Sequence, residues 1–307
     1  MAINAALKDV EFAEAALESF VEGLAPVTRF TMDASPSPSF EGEVIKVEHY
    51  LAAGAAEDYD AAEGYGGTGY STTGTANTTA VSVTMNKHLT SQFSLTDKEL
   101  ITYHQDPEKI ARQMGFQLAK SAFEYILEGC VAASYSSLGL TSTAANFARD
   151  DLATLSQALN ANSVPKRGRF LLIDEDYIDE LATDTSVSDG SAFGTYEAIQ
   201  EGRVPRIHGF DVMGSFFIPN ANSENLVGIA GRSEAIVCAS RTIPISEQAR
   251  QQGVTQFVQT HPESGLSFTY RRHYDANLAK TTWALDWLGG RAVGIASALT
   301  RIRSAAP

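Results

Sequence analysis

The chain has 307 residues, 44% of them hydrophobic and 20% charged, which is ordinary globular composition with enough apolar side chain for one or two substantial cores. Its formal net charge is -14, from Asp+Glu 37 against Lys+Arg 23, so counterion release on a phosphate backbone offers it nothing and tight nucleic-acid binding is disfavoured. Cys130 and Cys238 lie far apart with no CxxC spacing, which predicts two buried reduced thiols rather than a disulfide framework or a zinc site.

Residues 1–24 predict a helix, with Leu7, Val10, Leu17, Val21 and Leu24 on one stripe and carboxylates opposite. Asp9, Glu11, Glu14, Glu18 and Glu22 interrupt any apolar run there, so this is not expected to be a signal peptide. No stretch is long and uncharged enough to span a bilayer, and a soluble, cytoplasmically made product is expected. The helix should stop near Pro26, and the Pro- and Ser-rich run Ala34 to Ser39 reads as a linker or extended arm.

A strand is expected over Gly42 to Tyr50, and another where Val81, Val83, Met85, Phe93 and Leu95 alternate. Between them, residues 52–80 are mostly small, polar and acidic and cannot bury a core of their own. The pair predicts an extended hairpin projecting from the body. A ribbon with so little local core needs contacts from a neighbouring subunit.

The clearest helix begins at Asp106-Pro107-Glu108, an N-cap, a first-turn proline and a carboxylate at the positive end of the dipole. Ile110, Met114, Leu118, Ala122, Tyr125 and Ile126 continue one face, and Gly129 supplies a stop. An α/β-like region follows, with a helix through Phe147, Leu152, Leu155 and Leu159, a turn at Pro165 to Gly168 and a buried strand at Arg169 to Ile173. A further helix starts at Asp174 and runs through Tyr177, Ile178 and Leu181. Ser186 to Gly194 reads as a loop, Tyr196 to Ile199 as a short helix and Gly202 as a turn. Strands are expected near Phe210–Met213 and Ile236–Ser240. The C-terminal part alternates at Leu266, Phe268, Tyr270, Arg272 and Tyr274, and again at Thr281, Trp283, Leu285 and Trp287, with turn chemistry at Asp275-Ala276-Asn277.

Several motifs have a chemical reading that their context does not support. Gly64 to Gly69 fits the GxGxxG spacing but lacks the preceding strand and following helix that a dinucleotide site needs. His49, His88, His104, His208, His261 and His273 show no ligand spacing, and neither a GxSxG elbow nor a Walker loop is present. The acids Asp174, Glu175, Asp176, Asp179 and Glu180 suit a solvated helix start better than a divalent metal. Arg271-Arg272-His273 alternate in direction, which fits inter-subunit salt bridges better than a DNA-binding patch. Trp283 and Trp287 share a strand face and are expected in the core, or else in a subunit interface. No catalytic, cofactor-binding or metal-ligating residue is assigned, and no cofactor is expected.

The order of these segments resembles the tailed-bacteriophage major capsid protein family with the Hong Kong 97 type fold. The resemblance is carried by Val81 to His88 leading to Phe93 to Glu99, by Gly168 to Ile173 with Tyr177, and by Gly209 to Val212. Ala230 to Ala239, Tyr270 to Lys280, Trp283 to Asp286 and Gly290 to Val293 complete it, over roughly residues 40–300. It implies an α+β fold with an N-terminal arm (1–41), an E-loop (42–103), a P-domain with a spine helix (104–140), an A-domain (141–250) and P-domain C-terminal strands (251–307).

The function implied is a virion shell subunit, not an enzyme. Assembled in a bacterial cytoplasm as hexamers and pentamers, it would enclose double-stranded DNA without sequence-specific binding. The stretch before Gly42 is too short for a cleaved scaffolding segment, so the resemblance implies a separate scaffolding protein together with a portal, and leaves room for a decoration protein. Some members cross-link an E-loop lysine to a P-domain asparagine; Lys46, Lys87 and Asn277 occupy comparable regions, but no motif establishes a pairing. Two alternatives stand beside this reading: an encapsulin-type cellular compartment of the same fold, and a soluble enzyme whose site the sequence does not show.

Overall fold

The computed structural model describes residues 2–50, 78–102, 107–183, 206–218, 224–244 and 246–305. Two mixed sheets share one continuous hydrophobic core. The larger contains β1 (Thr31–Pro38), β2 (Val44–Tyr50), β3 (Thr78–Thr96), β8 (Ile236–Thr242), β9 (Thr255–Thr260), β10 (Ser267–Asp275) and β11 (Lys280–Val293). Its order is β1-β8-β11-β10-β9, with β3 on the other side of β11 and β2 paired to β3. The smaller sheet runs β4 (Leu138–Ser142), β12 (Leu299–Ser304), β7 (Leu226–Arg232), β5 (Arg169–Ile173) and β6 (Phe210–Gly214).

Helix α1 (Ala2–Gly23) and helix α3 (Pro107–Leu127) cover one face of the larger sheet; the short α2 (Asp97–Thr102) extends directly from β3. The buried face of α1 is rotated from the expected stripe. Phe12, Ala16, Phe20 and Leu24 form its spine, Ala13 and Leu17 flank it, and Val10 is exposed. The ring of Phe12 meets Tyr270 and Trp283, and Phe20 meets Phe268 edge-on. Asp9, expected on the solvent side, is buried because the Tyr270 hydroxyl and the Arg272 guanidinium both donate to it, at 2.9 and 2.8 Å. Small residues set how closely α1 and α3 cross: a Cβ on Gly115 would sit 2.1 Å from the Ala16 carbonyl oxygen.

The Pro/Ser run expected to be a linker or extended arm is extended, and up to Pro38 it forms strand β1, hydrogen-bonded in parallel to β8. Proline is tolerated because β1 is an edge strand with a partner on one side only. The strand expected near Ile236–Ser240 is β8, and the segment Ala230 to Ala239 that carried the resemblance is broken at Ser233–Ala235 by a 3-10 turn, its two halves entering different sheets. Strand β8 joins the larger sheet, and the last strand, β12, returns to the smaller one.

The smaller sheet is covered by α4 (Arg149–Ala161), through Leu152, Leu155 and Leu159, and by α5 (Glu175–Thr183), through Tyr177 and Leu181. Every residue of β5 is buried. Arg169 opens that strand fully enclosed, because it donates to the carbonyl oxygens of Pro165 and Val164, to Ser156 Oγ at 3.0 Å and to Asn160 Oδ1 at 2.7 Å. Helix α6 (Glu247–Gln251) is capped by Ser246 and precedes β9. The expected loop at 186–194, helix at 196–199 and turn at Gly202 lie outside the described residues, as does the cap residue Asp106.

Candidate functional site

The long strand β3 ties the hairpin to the body. Its residues 78–84 pair antiparallel with β2, and residues 85–96 pair with β11, which ends at Val293. Between Met85 and Lys87 the register with Gly289 and Gly290 shifts by one residue, leaving Asn86 as the extra residue of a bulge. A bulge reverses which face the odd-numbered side chains meet. Beyond it, Leu89 and Phe93 pack into the main core, whereas Val83 and Met85 join Val47, Val237, Ala239 and Leu288 in a second apolar cluster on the opposite face.

The bulge demands close backbone approach: a Cβ on Gly290 would lie 2.4 Å from the Thr84 carbonyl oxygen. From α3, the buried Tyr125 reaches the same point. Its hydroxyl donates to Asn86 Oδ1, the Arg291 guanidinium lies 4.4 Å from its ring centroid, and the Lys87 ammonium lies 5.5 Å from it. Burial, the largest cause, raises the Tyr125 hydroxyl above the usual tyrosine range, so it stays a neutral donor. Helix α3, the bulge and two cations therefore meet at the point where β3 passes from β11 to β2. No sequence pattern marked Tyr125 for this role beyond placing it on the inward face of α3.

The sequence-derived chemical candidates do not converge. The GxGxxG run and His104 lie outside the described residues. His88 Nε2 is 3.6 Å from Asp286, His261 closes a turn with Ser264, and His208 holds a turn at φ 49°. Among the described residues, no three His, Cys, Asp or Glu side chains gather so as to hold a metal ion. The acidic run starts α5, where burial and then the neighbouring Asp176 push the Asp174 carboxyl up to about 6.

Within the subunit, Arg271 and Arg272 each form an ion pair. Arg271 pairs with the buried Asp286 at 2.8 Å and Arg272 with Asp9 on the other face. Trp287 is buried and donates to Ser240 Oγ at 2.9 Å, while Trp283 is half-buried between Phe12 and Phe93. Lys46 is exposed on β2, and Asn277 sits in the Asp275 turn, its backbone N–H donating to Asp275 Oδ1.

A cleft of about 220 Å³ lies between the end of α3 and β11, lined by Ile126, Cys130, Tyr135, Ile236 and Arg291 among others. It is smaller than the usual small-molecule site. Burial pushes the Cys130 thiol up to about 12 and raises Cys238 as well, so both are poor nucleophiles. Among the described residues no helix is long and apolar enough to cross a membrane.

The sequence matches no protein-family profile and no curated protein. Solved structures do match across most of the chain. The capsid of cyanophage P-SCSP1u aligns at TM-score 0.57 with 16% identity, covering 90% of this chain and 86% of that one. A structure of Mycobacterium phage Che8 aligns at 0.56 with 15% identity, covering 85% and 84%. A virus-like particle from Pyrococcus furiosus aligns at 0.50 with 14% identity, covering 95% and 97%.

The chain has the phage capsid fold. The α+β architecture expected from the order of segments is this one. In the phage capsid fold as this chain builds it, the most distinctive local geometry is the hairpin rooted at the Asn86 bulge.

Proposed function

We propose that the chain is the major capsid protein of a tailed bacteriophage, a structural subunit without a catalytic role that assembles as hexamers and pentamers into an icosahedral shell around double-stranded DNA. The carrying observation is likeness to phage structures over 85% and 90% of the chain at TM-scores of 0.56 and 0.57, at identities that speak for fold alone. The hairpin supports the reading from physics. A two-stranded ribbon with little core of its own gains stability when it lies on another subunit. In this reading residues 42–103 form the E-loop, and the two-sheet body supplies the P- and A-domains. The net charge of -14 suits a wall that holds DNA without adhering to it. Assembly occurs in the host cytoplasm, with a separate scaffolding protein and a portal.

The mechanism is additive burial. Each subunit meets several identical neighbours, and many modest contacts close the shell. Electron microscopy of the expressed protein, with and without a scaffolding partner, tests this directly. Closed shells or capsomers are expected; discrete dimers or tetramers under every condition would overturn it. Deleting residues 55–78 should abolish shells and leave a folded subunit, and normal shells from the deletion would remove the E-loop role.

A second reading is an encapsulin-type cellular compartment. It is favoured by the Pyrococcus furiosus virus-like particle, which is covered over 97% of its length. Genomic neighbours separate the two: terminase and portal genes accompany a phage subunit, a cargo enzyme gene a compartment.

A further inference from the structure

A sheet edge with unpaired N–H and C=O groups is a template for another strand, and proteins blunt such edges with charge, proline, glycine or shortness. Among the described residues the free edges other than that of β9 are blunted, including the side of β3 away from β11, which the Asn86 bulge breaks and Lys87 charges. Strand β1 carries Pro36 and Pro38, and β2 carries Lys46 and Glu48. Strand β6 carries Asp211, which pairs with Arg206 at 3.5 Å and Arg29 at 3.7 Å. Strand β4 has only five residues, Gly139 among them.

The edge of β9 is different. Its six residues are Thr255-Gln256-Phe257-Val258-Gln259-Thr260, with no charge, no proline and no glycine, and all are partly exposed. On one side β9 pairs with β10 in unbroken register from Thr255 to Thr260; among the described residues no strand pairs its other side. The amide oxygen and nitrogen of Gln256 have no hydrogen-bond partner within the subunit.

We infer that β9 pairs antiparallel with β9 of a second copy of this chain across a two-fold axis, continuing the larger sheet from one subunit into the next. This rests on the shell reading, which supplies identical neighbours. Charge selects the strand: copies carrying -14 each repel over most of their surface, and β9 is an uncharged strip that opposes no like charges when it meets itself.

Symmetry selects the register. Only residues of one parity turn their backbone groups to the free edge, so a two-fold pair must place a residue opposite its own copy. At the centre of the strand that residue is Phe257 or Val258, and about six backbone hydrogen bonds form over its length. With Val258 on the axis, Phe257 faces Gln259 of the other copy and Gln256 faces Thr260. With Phe257 on the axis, Gln256 faces Val258.

Single cysteines placed in turn at positions 255 to 260 test the pairing, followed by mild oxidation with copper phenanthroline and non-reducing electrophoresis. The unsubstituted chain is the control, because Cys130 and Cys238 are buried. Phe257→Cys or Val258→Cys should convert most subunits in assembled particles to disulfide-linked dimers, while Thr255→Cys and Thr260→Cys should not. Particles that form normally but link at neither 257 nor 258, or that link equally at all six positions, would overturn the pairing and leave the shell reading intact. Linked dimers without particles would uphold the pairing and remove the shell reading. Neither particles nor links would remove both.

Discussion

The smaller sheet and the hairpin use the same kind of strand in opposite ways. In the smaller sheet, β5 is buried along its whole length and β7 nearly so, with Arg169 enclosed by acceptors from its own chain. In the hairpin only one row of side chains is covered, near the root by Val47, Val83 and Met85. The opposite row there, Ser82 and Thr84, is exposed and polar, and beyond the bulge so are Thr90, Gln92 and Ser94. One region completes its burial within the subunit. The other is held in direction at one point and has its remaining surface free for a neighbour. Stability and assembly should therefore respond to substitutions in different places.

The largest effect should come from the self-sufficient region. Leu171→Ala, in the middle of β5, removes a fully buried side chain and should cost about 2–5 kcal/mol in a urea titration, with loss of particles only through unfolding. Gly290→Val should cost less, roughly 1–3 kcal/mol from overpacking against Thr84, yet abolish assembly of the folded subunit because the bulge can no longer aim the hairpin. Particles of normal yield from that variant would end the claim that the bulge directs assembly. Tyr125→Phe keeps the ring beneath Arg291 and removes only the hydrogen bond to Asn86; a loss of about 1 kcal/mol is expected, with slower particle formation by light scattering.

The smallest effect should lie at Asp174 and be visible as a pH dependence. Its folded carboxyl titrates at about 6 rather than at the ordinary 3.8, mainly through burial. The folded state therefore holds the extra proton between those values, and this carboxyl's contribution to stability is fully present below pH 4 and is lost as pH rises through 6. Asp174→Asn keeps a side chain that can cap α5 and removes the charge. It should gain under about 1 kcal/mol at pH 7, once solvent screening is allowed for, and flatten the slope between pH 4 and 6. An unchanged slope in denaturant midpoints would reject the assignment.

Much of the fold was legible in the sequence because period and punctuation coincided. The helix from Pro107, the strand at Arg169–Ile173 and the alternating pair around the Asp275 turn all announce themselves by spacing. Strands β4, β7, β9 and β12 were missed or blurred. They are short, and β9 and β4 have no strong apolar alternation. The orientation of α1 was misread because alanines and a buried aspartate form much of its inward face, and no hydropathy pattern reveals that Arg272 waits opposite Asp9.

The sequence by itself determined that the chain carries a long, core-poor hairpin on an α+β body, because composition and period depend only on neighbours along the chain. Tertiary structure alone decided that Ala230 to Ala239 divides between two sheets, that the Pro/Ser run is a strand, and that Asn86 is a bulge held by Tyr125. Each depends on a partner far away in sequence, and strand pairing has no local signature until that partner is in place.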